Sequence, residues 1–61
     1  MPLIEVKLYD TRVTEDSTPK IVEALTDALV SVTTEALREH IWVIVEGVPA
    51  RNWGIAGKVG G

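Results

Sequence analysis

The chain has 61 residues, which allows a single domain (1–61), and a chain this short buries only about 60% of its unfolded surface. It has no cysteine, one histidine and a net charge of −3 without a basic stripe, which argues against disulfides, a metal site and a nucleic-acid partner. Because 46% of its residues are nevertheless apolar, we expect an obligate oligomer whose subunits share a core.

The first predicted element is a strand, Leu3–Tyr9, in which apolar and polar side chains alternate. Pro2 stands directly before it, at the position where a small residue allows removal of Met1. Processing would leave a secondary amine fixed at the end of a strand, and such an amine can act as a general base near neutral pH. The N-terminus lacks the basic region and apolar stretch of a signal peptide. Residues 10–12 break the alternation and predict a turn.

A helix follows, because its apolar residues recur at spacings of three and one. Its start has two alternatives. Thr18 could cap it with Pro19 at the first helical position, or Thr14 could cap it with Pro19 inside the first turns. We favour the earlier start with an irregular first turn, and we expect the helix to end near residues 33–34. The apolar stripe consists of Ile21, Ala24, Leu25, Ala28, Leu29 and Val32.

Ile41–Val45 is an unbroken apolar run, which is typical of a strand covered on both faces. The run is far too short to span a bilayer, so we expect a soluble cytoplasmic protein without a membrane partner. Strand, helix and strand form a βαβ unit with parallel strands and a right-handed crossover. The tail, 47–57, is rich in turn formers and predicts a short hairpin carrying Trp53.

The predicted fold class is therefore α/β (α+β), a single βαβ unit with a C-terminal hairpin. One helix cannot cover both faces of a two-stranded sheet, and the sheet edges remain open for pairing. The simplest solution is for two units to pair into a four-stranded sheet with its helices on one face. The other face then packs against further dimers, so we expect a dimer assembled into something larger.

Four features together resemble the 4-oxalocrotonate tautomerase family of the tautomerase superfamily. They are Pro2 before a strand, Arg12 just after it, the βαβ unit, and the segment Asn52-Trp53-Gly54-Ile55-Ala56-Gly57. The resemblance covers essentially the whole chain. It implies a homohexamer, built as a trimer of dimers, with active sites that contain residues of more than one chain. It also implies a cofactor-free isomerase of aromatic degradation that interconverts enol and keto forms of a 2-hydroxydienoate or 2-keto acid.

The resemblance implies roles for individual residues. Pro2 matches the catalytic proline, Arg12 matches an arginine that binds a substrate carboxylate, and Trp53 stands where an aromatic wall is common. Trp42 falls where the family carries a second arginine, so a cation is replaced by a flat apolar wall with one N–H donor. We therefore expect a substrate with fewer charges, such as an aryl or alkyl 2-keto acid. Arg38, Arg51 and His40 are alternatives for the missing cation.

Simpler interpretations exist for each residue. Arg12 could be a solvated surface charge, Trp42 could pack in a core or interface, and His40 beside Glu39 is more typical of a surface residue. Related hydratases and dehalogenases need a carboxylate that activates water, and the nearest acid to the Trp53 segment is Glu46, so we rank hydration below tautomerisation. The alternative function is a non-catalytic or partner-dependent subunit of a hetero-oligomer.

Overall fold

The computed structural model describes residues 1–60, and its first strand, helix and second strand form the predicted βαβ unit. The two long strands are parallel and stay in register over seven residue pairs, from Leu3 beside Trp42 to Tyr9 beside Val48. The elements are β1 (Leu3–Tyr9), α1 (Ser17–Ser31), β2 (Trp42–Val48), β3 (Gly54–Ile55) and β4 (Lys58–Val59). Three short 3₁₀ turns, named here for one residue each, connect them: the Arg12 turn (Asp10–Arg12), the His40 turn (Glu35–His40) and the Asn52 turn (Ala50–Asn52).

Strand β1 has the predicted bounds, and its side chains alternate between half-buried and exposed along its whole length. Ile4, Val6 and Leu8 are the half-buried set, as the alternation predicted. Val43 and Val45 continue this face on β2. Helix α1 packs on this face through half-buried residues that include Ile21, Val22, Leu25, Leu29 and Val30, and the other face of the sheet is left open. The predicted stripe was therefore only partly right, because Ala24, Ala28 and Val32 are exposed.

The start of α1 lies between the two predicted alternatives, with Asp16 at the cap position. The regular helix begins at Ser17, but the chain already turns at Thr14, whose Oγ1 accepts a hydrogen bond from the Ser17 backbone N–H at 3.0 Å. In return, the Thr14 backbone N–H donates to Ser17 Oγ at 3.0 Å. This reciprocal pair resembles a capping box. Because the regular helix begins at Ser17, Pro19 is its third residue, where a backbone N–H would have no helical partner.

Strand β2 begins one residue later and ends three residues later than the apolar run predicted. We expected both faces of β2 to be covered, but one face is open within a single chain, where Trp42 and Ile44 are 58% and 48% exposed. One edge of β2 is also free, because β2 pairs with β1 alone among residues 1–60. The continuous apolar run of β2 therefore includes residues that are exposed on the open face of the single chain.

The His40 turn was not predicted, because six residues without a clear apolar period gave no signal for it. Ion pairs fix it against α1. Arg38 contacts Asp27 of α1 at 2.7 Å and Glu35 of its own turn at 2.5 Å. Both carboxylates raise the pKa of the Arg38 guanidinium, chiefly through the hydrogen bond to Glu35. The turn leads the chain back to the start of β2.

The predicted C-terminal hairpin is present as the antiparallel pair β3 and β4. Ala56 and Gly57 connect the strands with φ angles of 53° and 80°. Two successive positive φ values are typical of a two-residue type I′ turn, whose hand matches the twist of the strands.

Nothing among residues 1–60 is fully buried. The molecule measures 43 × 26 × 16 Å, and its thinnest dimension matches one sheet and one helix. Several large apolar side chains are exposed on the open face of the sheet: Leu3, Tyr9, Trp42 and Ile44. Among residues 1–60, no helix combines the length and apolar character that crossing a membrane requires.

Candidate active site

Pro2 is held at the N-terminal end of the sheet by the second strand. Its carbonyl oxygen accepts a hydrogen bond from the backbone N–H of Trp42 at 3.0 Å, which extends the parallel ladder by one bond. Pro2 is half-buried, whereas Met1 is 93% exposed. The proline is therefore fixed by the sheet while the residue before it projects into solvent.

A hollow of about 560 Å³ lies at this end of the molecule. The His40 turn supplies three of its lining residues, Leu37, Glu39 and His40. The others are Met1, Pro2 and Trp42. We call this hollow the Pro2 pocket. Its walls combine apolar surface with one carboxylate and two side chains that can donate an N–H.

The three alternatives for the missing cation differ in their surroundings. Arg38 is engaged by two carboxylates and does not line the Pro2 pocket. Arg51 lies in the Asn52 turn, beyond the other end of β2. His40 lines the pocket, with its Nε2 atom 3.4 Å from a carboxylate oxygen of Glu39. Of the three, His40 is the one that lines the Pro2 pocket.

Arg12 lies at the opposite end of β1, in the turn directly after the strand. Its side chain is exposed and forms no salt bridge with residues 1–60. Its backbone is fixed, because the Arg12 carbonyl accepts a hydrogen bond from Ser17 Oγ at 2.7 Å. Gly47 allows the turn to lie close to β2, since a Cβ there would be 3.0 Å from Asp10 Cα. The result is an available guanidinium on an anchored turn.

Trp53 also lies at this end. Its indole Nε1–H donates to the Val48 carbonyl at 3.0 Å, and its ring meets Tyr9 edge-on with 5.0 Å between centroids. Together with the hairpin residues Gly54, Ile55 and Gly60, these two rings line a second hollow of about 380 Å³. The aromatic pair thus forms a rigid apolar wall at the C-terminal end of the strands.

The four residues singled out from the sequence therefore form two clusters. Pro2 and Trp42 lie at one end of the parallel pair, and Arg12 and Trp53 lie at the other. Seven residues of strand separate the ends, which corresponds to roughly 23 Å. No substrate of a few carbon atoms spans that distance. A site containing both clusters requires two chains.

Comparisons with known proteins agree with this architecture. The family model for tautomerase enzymes matches residues 2–61. A probable tautomerase from Ralstonia nicotianae is 44% identical over 57 residues, covering 93% of this chain and 79% of the relative. A probable tautomerase from Staphylococcus aureus is 37% identical, covering 93% of this chain and 90% of the relative.

The chain belongs to the tautomerase family.

Solved structures show the same fold. A candidate 4-oxalocrotonate tautomerase from methicillin-resistant Staphylococcus aureus superposes with a TM-score of 0.82 at 29% identity, covering 95% of this chain and 90% of the other. DmpI from Helicobacter pylori also gives 0.82, at 27% identity, with 95% and 94% covered. The resemblance inferred from the sequence is therefore confirmed, as is the βαβ fold with its hairpin.

Within this tautomerase, sequence reasoning missed that Leu37 and Glu39 line the Pro2 pocket, and it treated His40 mainly as a surface residue. The adjacency of Glu39 and His40 to the start of the second strand was the available signal. Glu46, the acid considered for hydration, lies on the open face of the sheet and pairs with Lys7 at 2.5 Å. The hydrogen bond to Glu46 raises the pKa of the Lys7 ammonium. Glu39 is the carboxylate that adjoins Pro2.

Proposed function

We propose that this tautomerase interconverts the enol and keto forms of a 2-hydroxydienoate or 2-keto acid without a cofactor, using the Pro2 nitrogen as its general base and acid. Family membership indicates tautomerase activity in general terms. The single observation that supports Pro2 as the general base and acid is its position. It is tied by its carbonyl to Trp42 at the wall of a pocket large enough for a small acid.

The chemistry needs one group that moves a proton. In the ketonisation direction, the Pro2 amine takes the proton of the enol hydroxyl, and the O–H electron pair forms the C=O bond. The electrons of the C=C bond then take the proton from the prolinium at carbon, so composition and oxidation state do not change. An α-amino group ordinarily titrates at about 7.7–8.0, and apolar surroundings or a neighbouring cation disfavour its protonated form.

This role requires removal of Met1, since a proline nitrogen in a peptide bond cannot act as a base. The exposure of Met1 leaves that bond open to a processing aminopeptidase. Removal would also clear one wall of the Pro2 pocket. We propose that the active form begins at Pro2, and intact-mass measurement of the protein from its native cells tests this directly.

We further propose that the carboxylate of the substrate is held by Arg12 of a neighbouring chain. The two-cluster arrangement and the absence of a salt-bridge partner for Arg12 among residues 1–60 support this. A planar guanidinium suits a carboxylate. The Trp42 and Trp53 rings of the assembled site would then enclose the apolar part of the substrate.

A homohexamer built from dimers meets these requirements, and the open face of the sheet supports it. Copies of the chain would cover Leu3, Trp42 and Ile44, which are exposed in the single chain. Apolar burial of this kind supplies most of the free energy of subunit association. We propose the hexamer on these grounds, and the fold of the subunit is the one found in a solved structure of a candidate 4-oxalocrotonate tautomerase.

The Pro2→Ala variant tests the proposed base, because alanine changes the secondary amine and its ring constraint. We expect kcat for ketonisation of phenylenolpyruvate to fall about 10²- to 10⁴-fold, the range supplied by general acid–base catalysis. Pro19→Ala is the matched control, because Pro19 is an exposed proline in the first turn of α1. It should retain activity. Wild-type activity in Pro2→Ala, with its native mass of assembly, would eliminate Pro2 as the proton carrier.

The substrate class has its own test. Trp42 replaces a cation with an apolar wall, so we expect kcat/KM for phenylenolpyruvate to exceed that for the dicarboxylate 2-hydroxymuconate. The reverse order, by tenfold or more, would contradict the aryl or alkyl 2-keto acid proposal.

Two other functions, water addition and a partner-dependent subunit, can be distinguished from tautomerisation by experiment. The carboxylate of Glu39 in the Pro2 pocket favours water addition as a second candidate, in which it would activate the water. In that case Glu39→Gln abolishes hydration of an unsaturated acid. A partner-dependent subunit would instead be inactive when pure and would co-purify with a second small chain.

A further inference from the structure

We propose that His40 donates a hydrogen bond to the oxygen on carbon 2 of the substrate and stabilises the negative charge that develops there as the enol proton leaves. This inference rests on the proposed function, because it assumes that the substrate lies against Pro2. In this proposal His40 polarises the substrate oxygen, for which Trp42 offers no positive charge.

Few of the side chains that line the Pro2 pocket can donate a hydrogen bond. A developing oxyanion needs a preorganised donor directed at the place where charge accumulates. Among the side chains that line the pocket, His40 and Trp42 are the two that carry an N–H donor. The pocket therefore offers few ways to stabilise an enolate oxygen.

His40 already lies next to an anionic oxygen. Its Nε2 atom lies 3.4 Å from a carboxylate oxygen of Glu39. The free protein therefore already holds a negatively charged oxygen next to the imidazole. No hydrogen bond joins the two side chains at this distance, so the imidazole remains available to an enolate oxygen that enters the pocket. The negative charge of Glu39 opposes a second anion there, and its removal should favour binding.

The backbone on both sides of His40 is anchored. His40 ends the turn that Arg38 connects to Asp27 of α1 and to Glu35. On its other side, the chain enters β2, whose first backbone N–H donates to the Pro2 carbonyl. One residue, Ile41, separates His40 from this bond. The imidazole is therefore carried on backbone that is anchored to both the helix and Pro2.

The kinetic test compares His40→Leu with His40→Gln, both processed to Pro2. His40→Leu removes the donor, and we expect kcat for phenylenolpyruvate ketonisation to fall about 10- to 100-fold with a smaller change in KM. His40→Gln keeps an amide N–H on a side chain of similar reach and should restore part of the loss. Glu39→Gln should lower KM. Equal losses in both His40 variants, or an unchanged kcat in His40→Leu, would overturn the proposal.

A binding measurement keeps the test independent of turnover. His40 is the only histidine, so its Cε1–H signal is a single NMR reporter. Oxalate, a planar mimic of a carboxylate beside an enolate oxygen, should shift this signal saturably at concentrations that inhibit the enzyme. Competitive inhibition by oxalate without such a shift would contradict the assignment.

Failure of this inference can be separated from failure of the proposed function. If Pro2→Ala loses activity while His40→Leu keeps it, the proline mechanism stands and the role of His40 is wrong. If Pro2→Ala keeps activity, the proposed function itself fails.

Discussion

At the scale of single residues, Arg12 combines an anchored backbone with a side chain left available. Ser17 Oγ holds its carbonyl at 2.7 Å, and the guanidinium projects without a salt-bridge partner among residues 1–60. Fixing the main chain lowers the entropy lost when the side chain is ordered by a ligand. Such a residue is well suited to bind a carboxylate supplied by a substrate.

Replacing Arg12 with glutamine tests this role. Loss of a charge-assisted hydrogen bond costs about 1.5–3 kcal/mol, so we expect KM for phenylenolpyruvate to rise about 10-fold or more, with a smaller effect on kcat. Lys20→Gln is the control, because Lys20 is a cation on α1 that pairs with Asp16 at 3.2 Å. Steady-state kinetics distinguish the two. A KM for Arg12→Gln equal to that of Lys20→Gln would show that Arg12 is only a surface charge.

The sequence predicted some of these residues better than others. Pro2 and Arg12 stand at fixed distances from a clearly alternating strand, so their places at its two ends followed from the pattern. The nearness of Glu39 and His40 to Pro2 did not follow. It depends on a 3₁₀ turn whose path is set by ion pairs between Arg38 and residues 3 and 11 positions away. No periodicity encodes such contacts.

At the scale of elements, the fit between the Arg12 turn and β2 depends on the missing side chain of Gly47. A Cβ at this position would lie 3.0 Å from Asp10 Cα and 3.4 Å from Val13 Cβ. Because Asp10 Cα belongs to the backbone, the clash cannot be relieved by a rotamer change. The turn and the strand would have to separate.

Gly47→Ala should therefore reduce stability and substrate binding together. We expect it to lower the free energy of unfolding by about 1–3 kcal/mol, the usual cost of overpacking, measured by urea denaturation at fixed protein concentration. KM should also rise, because the displaced turn carries Arg12. Gly54→Ala is the matched control for stability, since its Cβ would meet the Lys58 carbonyl at an ordinary 3.7 Å. Equal stability of the two variants would contradict the packing argument.

Element boundaries followed the sequence where a single periodicity dominates. The alternation of β1 gave both of its ends correctly. Strand β2 was predicted too short, because Glu46 and Gly47 end the apolar run although the ladder continues to Val48. The start of α1 was ambiguous, because Thr14 and Thr18 are both residue types that cap helices. The helix begins between the two predicted starts, at Ser17, after a turn in which Thr14 and Ser17 exchange hydrogen bonds.

At the scale of the whole molecule, the exposed apolar surface dominates. A chain in which nothing among residues 1–60 is fully buried has little hydrophobic stabilisation of its own. The open face of the sheet, where Leu3, Trp42 and Ile44 are exposed, is apolar surface that association could bury. Composition predicted a shared core, but the number of subunits depends on the shape of this face, which no linear pattern describes.

Ile44→Glu tests whether that face is the interface. Ile44 is 48% exposed at the middle of the open face, so a buried charge there should dissociate the assembly and abolish activity in parallel. Light scattering reports the mass and the ketonisation assay reports the activity. Val32→Glu is the control, because Val32 is 79% exposed just after α1 and should leave the mass unchanged. An unchanged mass for Ile44→Glu would place the interface elsewhere.

The distance between Pro2 and Arg12 along β1 has a consequence for evolution. If each complete site combines the Pro2 end of one subunit with the Arg12 end of another, the two ends can diverge separately after a gene duplication. One copy could lose Pro2 and the other Arg12, and an oligomer that contains both copies would still have complete sites. Division of labour between paralogues is therefore a short mutational step from this fold.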